Sequence, residues 1–176
     1  MVGFLEQRGL AGASVLEIGG GVGEIQIELL RRGAASAVNL ELSSAYDDEA
    51  QALLREAGLE GRAVRLLRDI AVEGGDIEPA DVVVLNRVVC CYPDYERLLT
   101  AAADHARRLV VFSYPRRNPI SRCVVGVENL GLRVLRRQFR TFAHPPAAML
   151  AVLKERGLRP SFDHHGRIWW VAGLER

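Results

Sequence analysis

Short continuous runs of apolar residues alternate along this chain with longer stretches whose apolar positions recur every three or four residues. The first run, Val15, Leu16 and Ile18, has the character of a strand covered on both faces. In the stretch behind it, residues 24–32, Ile25, Ile27, Leu29 and Leu30 recur against charged Glu28, Arg31 and Arg32, which predicts a helix stopped at Gly33. Further strands are predicted at 37–42, 62–67, 81–86 and 109–114, with Pro79 before the fourth and Pro115 ending the fifth. Helices are predicted over 46–57, 95–108 and 147–156, with Gly58 and Gly157 as stops for the first and last. Residues 160–163 and 168–172 then read as two strands joined at His164-His165-Gly166-Arg167, a terminal hairpin. Ahead of the first strand, residues 1–12 offer one short helix and a turn. About seven strands alternating with helices imply a doubly wound α/β sheet, in a single domain with right-handed crossovers.

Composition narrows the setting without changing that architecture. A chain of 176 residues can bury about two-thirds of its unfolded surface in one domain. Hydrophobic content of 49% with 26% charged residues is that of an ordinary globular protein. No apolar run is long enough to cross a bilayer, and the N-terminus lacks the charged-then-apolar pattern of a secretory leader. Cys90 and Cys91 are adjacent and Cys123 stands alone, so neither a disulfide framework nor a zinc spacing is present. A reducing, cytoplasmic setting and no metal are therefore expected, with His164 and His165 as exposed turn residues rather than ligands.

Charge is distributed unevenly. The formal net charge is +1, yet residues 1–104 carry 9 Arg/Lys against 18 Asp/Glu, and residues 105–176 carry 14 against 4. Such a split suggests an anionic partner beside the second half. Because 22 of the 23 basic residues are arginine, a coding bias that scatters arginines over a solvated face explains the same pattern.

The candidate chemistry starts at the turn Glu17-Ile18-Gly19-Gly20-Gly21-Val22-Gly23-Glu24, between the first strand and the first long helix. Glycines at 19, 21 and 23 let the backbone take positive φ and approach a ligand, while amides at the helix start face an anionic group. The dinucleotide fingerprint G-x-G-x-x-G fails here: begun at Gly19 its last position is Glu24, and begun at Gly21 it is Gln26. The pattern is instead an acidic residue, Glu17, two positions before alternate glycines, with Gly20 inside the turn.

That pattern resembles the first motif of the class I S-adenosylmethionine-dependent methyltransferases, and the resemblance extends over nearly the whole chain from Ser14 onward. It implies a Rossmann-like fold closed by an antiparallel hairpin, S-adenosylmethionine as cofactor and S-adenosylhomocysteine as product. In the family the glycine turn passes under the methionine part of the cofactor, and the acidic residue interacts with its amino end, which assigns Glu17, Gly19, Gly20, Gly21 and Gly23. Glu41 with Leu42 and Ser43 stands where the family places an acidic residue and a small polar turn, and a carboxylate at that strand end can accept from two ribose hydroxyls. Asp69 and Ile70 match an acceptor for the adenine amino group and an apolar neighbour to its ring. Asn86 and Arg87 follow the fourth strand, at the edge where the transferred methyl would sit. Asn86 could contact the cofactor's amino end or the substrate, and Arg87 could pair with a substrate anion or with Asp94 or Glu96. Residues 1–12 are short beside the further helices that the family generally places there.

The acceptor is less determined. The (Asp/Asn)-Pro-Pro-(Tyr/Phe) signature for exocyclic amino groups is absent after the fourth strand, which counts against a nucleic-acid substrate. Residues 116–146, apolar and rich in arginine, lie where the family carries a substrate-covering lid. They suit a small, hydrophobic and anionic acceptor such as a phenolate or an aromatic acid, methylated on oxygen or carbon. The same composition suits a homodimer interface or contact with a membrane surface. His144 or Tyr114, with Asp94, could remove a proton from an oxygen nucleophile. Two other readings remain open from sequence: a cofactor-binding regulatory protein without catalysis, and an NAD-dependent oxidoreductase.

Overall fold

The computed structural model describes residues 1–116 and 140–176. The expected lid at 116–146 therefore falls largely outside the described residues, as does Cys123. The first half runs α1 (Val2–Gln7), β1 (Ser14–Ile18), α2 (Glu24–Arg31), β2 (Ser36–Glu41), α3 (Asp47–Glu56) and β3 (Ala63–Leu67). Then follow α4 (Ile70–Glu73), β4 (Ala80–Leu85), α5 (Tyr95–Asp104), β5 (Ala106–Pro115), α6 (Pro146–Glu155), β6 (Arg159–His165) and β7 (Trp169–Glu175). The strands form one sheet in the order β3-β2-β1-β4-β5-β7-β6. β1 to β5 pair in parallel, while β7 runs antiparallel to both β5 and β6.

Period-two alternation sorts the strand side chains onto two apolar layers. Val82 and Val84 of β4 with Leu109 and Val111 of β5 meet Phe4 and Leu5 of α1, Ile27, Leu29 and Leu30 of α2, and Leu54 of α3. Val83, Leu85, Val110 and Phe112, the residues between, meet Ile70 of α4, Leu98 and Leu99 of α5, and Met149 and Leu153 of α6. The continuous apolar runs exist because both faces of these strands are covered. Truncating a fully buried member such as Leu99 to alanine would cost about 2–5 kcal/mol.

Three boundaries differ from the sequence expectation, each for a tertiary reason. α5 ends at Asp104 rather than at 108, because the next residue is held outside the helix. The His105 ring nitrogens lie 2.7 Å from the Ala101 carbonyl and 2.9 Å from the Gly74 carbonyl, and its own carbonyl accepts from Ala80 N–H at 2.9 Å. β5 can then begin at Ala106, and it carries on through Pro115. The hairpin is also longer than expected: His164 and His165 are the last residues of β6, exposed but paired with Val171 and Trp170, and the His165 ring stacks on Trp170 at 3.8 Å.

The order reverses between β1 and β4: successive strands step outward through β2 and β3, then the chain returns to the other side of β1. In open sheets of this kind the crevice at the carboxyl ends beside that reversal is where ligands bind. α1 does not cover it. Phe4 instead stacks on Phe162 of β6 at 4.3 Å, against the sheet face at the other edge.

Candidate functional site

A cavity of about 380 Å³ lies at that crevice, within the range of small-ligand sites. Its walls come from the ends of β1 (Ile18, Gly19, Gly21), β2 (Leu40, Glu41, Leu42, Ser43), β3 (Arg68, Asp69, Ile70) and β4 (Arg87, Val88, Cys91, Tyr92). Of the eleven cofactor-facing candidates, Gly19, Gly21, Glu41, Leu42, Asp69, Ile70 and Arg87 are thus brought together, and Glu17, Gly20, Gly23 and Asn86 are not among the lining residues.

Two adjacent glycines are required for opposite reasons. A Cβ on Gly21, whose φ is +55°, would meet nothing within 4 Å, so this residue leaves open space on the cavity side. A Cβ on Gly20 would lie 2.7 Å from both the Glu17 carboxyl carbon and the Asn39 side-chain oxygen, so this residue rests on a buried polar layer. In that layer Glu17, 1% exposed, accepts from the Gln26 N–H at 3.1 Å, and Asn39 accepts from the Gly20 N–H at 3.2 Å. Glu17 therefore satisfies one of the amides that the first turn of α2 leaves unbonded. Burial raises its pKa from 4.5 to about 8, opposed by that hydrogen bond and reinforced by the nearby Glu41 charge. Gln26 Oε1 and Asn39 Nδ2 are buried with no partner among the described residues.

Glu41 faces the cavity with both oxygens engaged. Oε2 accepts from Gly21 N–H at 2.9 Å; Oε1 accepts from Leu42 N–H at 2.8 Å and Ser43 N–H at 3.3 Å. These take three of the carboxylate's roughly four lone-pair directions, so a diol held here would use the remaining one and displace or share the long Ser43 bond. Asp69 caps α4 through Ala71 N–H at 3.0 Å and accepts the Tyr92 hydroxyl at 2.9 and 3.1 Å. Burial, then that hydrogen bond, pushes the Tyr92 phenol up to about 12, so it stays a donor at neutral pH.

Arg65 of β3, which the sequence pattern shows only as one polar residue in a strand, ties these walls together. Its guanidinium donates to the Gly21 carbonyl at 2.6 Å, to Asp47 of α3 at 2.7 Å and to the Ser43 carbonyl at 3.2 Å. One side chain thereby fixes the glycine turn, the end of β2 and the start of α3. No spacing signal could have found it, because its partners lie 18 to 44 residues away in the chain.

The catalytic candidates lie behind the cavity wall. The turn Val89–Cys91 carries Cys91 on the cavity side, while Val89 and Cys90 face a tight recess lined also by Tyr114 and His144. Tyr114 is 3% exposed, on the α5/α6 side of β5, and burial raises its pKa. His144 Nε2 sits 2.9 Å from the Tyr92 carbonyl, which can only accept, so that nitrogen carries the proton. Its ring is flanked by Tyr95 and Phe142. Asp94 caps α5 through Arg97 N–H at 3.0 Å, and Glu96 accepts from Tyr95, so neither pairs with Arg87. Asn86 accepts from the Ser113 hydroxyl at 3.0 Å. Among the described residues no group of three or more His, Cys, Asp or Glu could hold a metal ion.

Comparison with known proteins bears on the family and the fold. A family model described as a methyltransferase domain matches residues 2–166. The fold is similar to magnesium protoporphyrin IX methyltransferase (ChlM) from Synechocystis PCC 6803, solved with bound SAH: TM-score 0.79 at 22% identity, over 99% of this chain and 80% of that one. It is similar to an O-methyltransferase family protein from Burkholderia thailandensis, with TM-score 0.81 at 19% identity, over 100% of this chain and 55% of that one. An S-adenosylmethionine-dependent methyltransferase from Mesorhizobium loti superposes with TM-score 0.71 at 13% identity, over 100% of this chain and 98% of its own.

Proposed function

This chain belongs to the family of methyltransferase domains, and on that premise we propose that it moves a methyl group from S-adenosylmethionine to a small, partly apolar and anionic acceptor, on oxygen or carbon. The observation that carries the reading is the join of an open Gly21 to a cavity-facing Glu41 across the β1–β2 end. The amino-acid tail is assigned to the glycine turn, the ribose to Glu41, and the adenine to Asp69 and Ile70. The sulfonium supplies an activated methyl group and its own leaving group, so the chain's task is chiefly alignment.

Each residue then has a stated task. Gly21 gives backbone access, Gly19 lets the turn close on Val88, whose Cγ2 would lie 2.7 Å from a Cβ there, and Glu17 with Asn39 supports the turn from beneath rather than meeting the ligand. Tyr92 orients Asp69, leaving lone-pair capacity on Oδ2 for an exocyclic amine. His144 holds Tyr92 by its carbonyl and Tyr114 fills the recess behind it, so both act by positioning. The low dielectric above the apolar floor of Ile18, Leu40 and Leu98 strengthens polar contacts made in the cavity.

The test is turnover. The protein is incubated with methyl-labelled S-adenosylmethionine and a panel of small phenols, aryl carboxylates and their neutral analogues, with binding of NAD and of S-adenosylhomocysteine measured in parallel. Label transferred to a small acceptor, without NAD binding, is expected. Tight NAD binding with no binding of S-adenosylhomocysteine would overturn the assignment.

A further inference from the structure

The opposite side of the cleft, where β4 and β5 end and β7 begins, is built differently from the acidic β2–β3 side. Arg87 is the one non-glycine with positive φ (61°) among the described residues. That conformation costs about 1–2 kcal/mol, and the turn is held by Arg87 N–H donating to Ser113 Oγ at 2.8 Å, whose hydroxyl in turn donates to Asn86. The result sets the Arg87 guanidinium 5.3 Å over the Trp169 ring. Trp169 opens β7 opposite Pro115, the last residue of β5, and Arg116 N–H donates to the Ile168 carbonyl at 2.8 Å. Arg87 thus lies over Trp169, and the backbones of Arg116 and Arg167 adjoin Ile168, which is 68% exposed, at this same end of the sheet. Among the described residues none of the three arginines joins an ion pair, although eight arginine–carboxylate contacts occur elsewhere.

The Arg87 guanidinium, placed over that ring, makes no side-chain hydrogen bond or ion pair among the described residues, so its N–H fork is available, and that fork matches a carboxylate. We propose that this edge is the acceptor subsite, and that it reads an aryl carboxylate: the anion on the Arg87 fork, the ring along Trp169 and Ile168. Arg116 and Arg167 supply a positive rim that draws the anion in. The inference rests on the methyl-transfer reading, because it needs Arg87 to border the cofactor cavity from the acceptor's side.

The experiment uses calorimetry on the whole protein saturated with S-adenosylhomocysteine, titrating benzoate and 2-naphthoate against benzamide and 2-naphthamide. Both tryptophans of the chain, Trp169 and Trp170, lie on β7, so their emission reports binding at this edge. The carboxylates are expected to bind about tenfold or more tightly than their amides, with a change in tryptophan emission. Arg87→Gln should bring the carboxylate-over-amide ratio to about one, and Arg87→Lys, which keeps the charge but not the fork, should give an intermediate ratio. Equal affinity for acid and amide, no carboxylate binding, or an unchanged ratio in Arg87→Gln each overturns the subsite. Failure to bind S-adenosylhomocysteine at all would instead sink the transfer reading, so the two failures are distinct.

Discussion

Replacing Arg65 by methionine removes a guanidinium that holds three walls of the cavity at once. Its side chain is only 11% exposed, and it donates to Asp47, Gly21 and Ser43 at 2.7, 2.6 and 3.2 Å. Hydrogen bonds from a charged donor contribute about 1.5–3 kcal/mol each, but the loss is less than their sum. Asp47 is 34% exposed and regains water, and the two carbonyls border an open cavity that can hydrate them. A net cost of about 2–4 kcal/mol follows, which in a chain of this length lowers the midpoint of thermal unfolding by about 5–15 °C. The glycine turn, released from β3, should also bind S-adenosylhomocysteine about tenfold more weakly, since a preformed turn must now be ordered by the ligand. Scanning calorimetry and titration calorimetry on one preparation read both effects. Arg65→Lys, which can reach one partner rather than three, should recover less than half of either. A midpoint within about 2 °C of the parent together with unchanged ligand affinity would refute the clasp.

Other perturbations follow from the same geometry. Gly21→Ala puts a methyl into the open space and a side chain at φ +55°; it should cost about 1–2 kcal/mol of stability and most of the cofactor affinity, measured by calorimetry. Glu17→Gln tests the buried acid by its pH signature. Because folding raises the Glu17 pKa from 4.5 to about 8, the folded state binds the extra proton, so its contribution is full below about 4.5 and is lost as pH climbs to about 8. Across that window the parent should lose stability relative to Glu17→Gln, by at most about 1.4 kcal/mol per pH unit, in urea titrations; a difference that stays flat from pH 4.5 to about 8 would show a carboxylate already ionised in the folded state. His144→Ala should lower stability by about 1–2 kcal/mol through the lost Tyr92 contact and ring packing, and raise KM more than it lowers kcat; a collapse of kcat restored by added imidazole would make it the base after all.

How much of this was legible beforehand depends on how local the cause is. The glycine turn and the strand-end Glu41 announce themselves because turn chemistry and period-two burial are written in neighbouring residues. The alternation of strands and helices likewise fixes the layered sheet, since both faces of β4 and β5 must be covered. Arg65, the Tyr92–Asp69 bond and the Asn39 shelf under Gly20 are invisible in sequence, because each pairs residues brought together only by strand order. The same holds for where His144 and Tyr114 sit: their residue types suit proton transfer, and they line a recess with Val89 and Cys90 rather than the cavity. His105 shows the reverse error, a helical pattern stopped early by contacts from Gly74 and Ala80.

The proposed function puts a sulfonium nucleoside across the β1 and β2 ends with its sugar on Glu41. It is tested most directly by titrating S-adenosylhomocysteine and its 2′-deoxy analogue into the parent and into Glu41→Ala. Expected are one-to-one binding by the parent, a loss of about tenfold with the deoxy analogue, and little difference between the two ligands in the variant. Equal affinities for both ligands in the parent, or a variant that still discriminates between them, would contradict it.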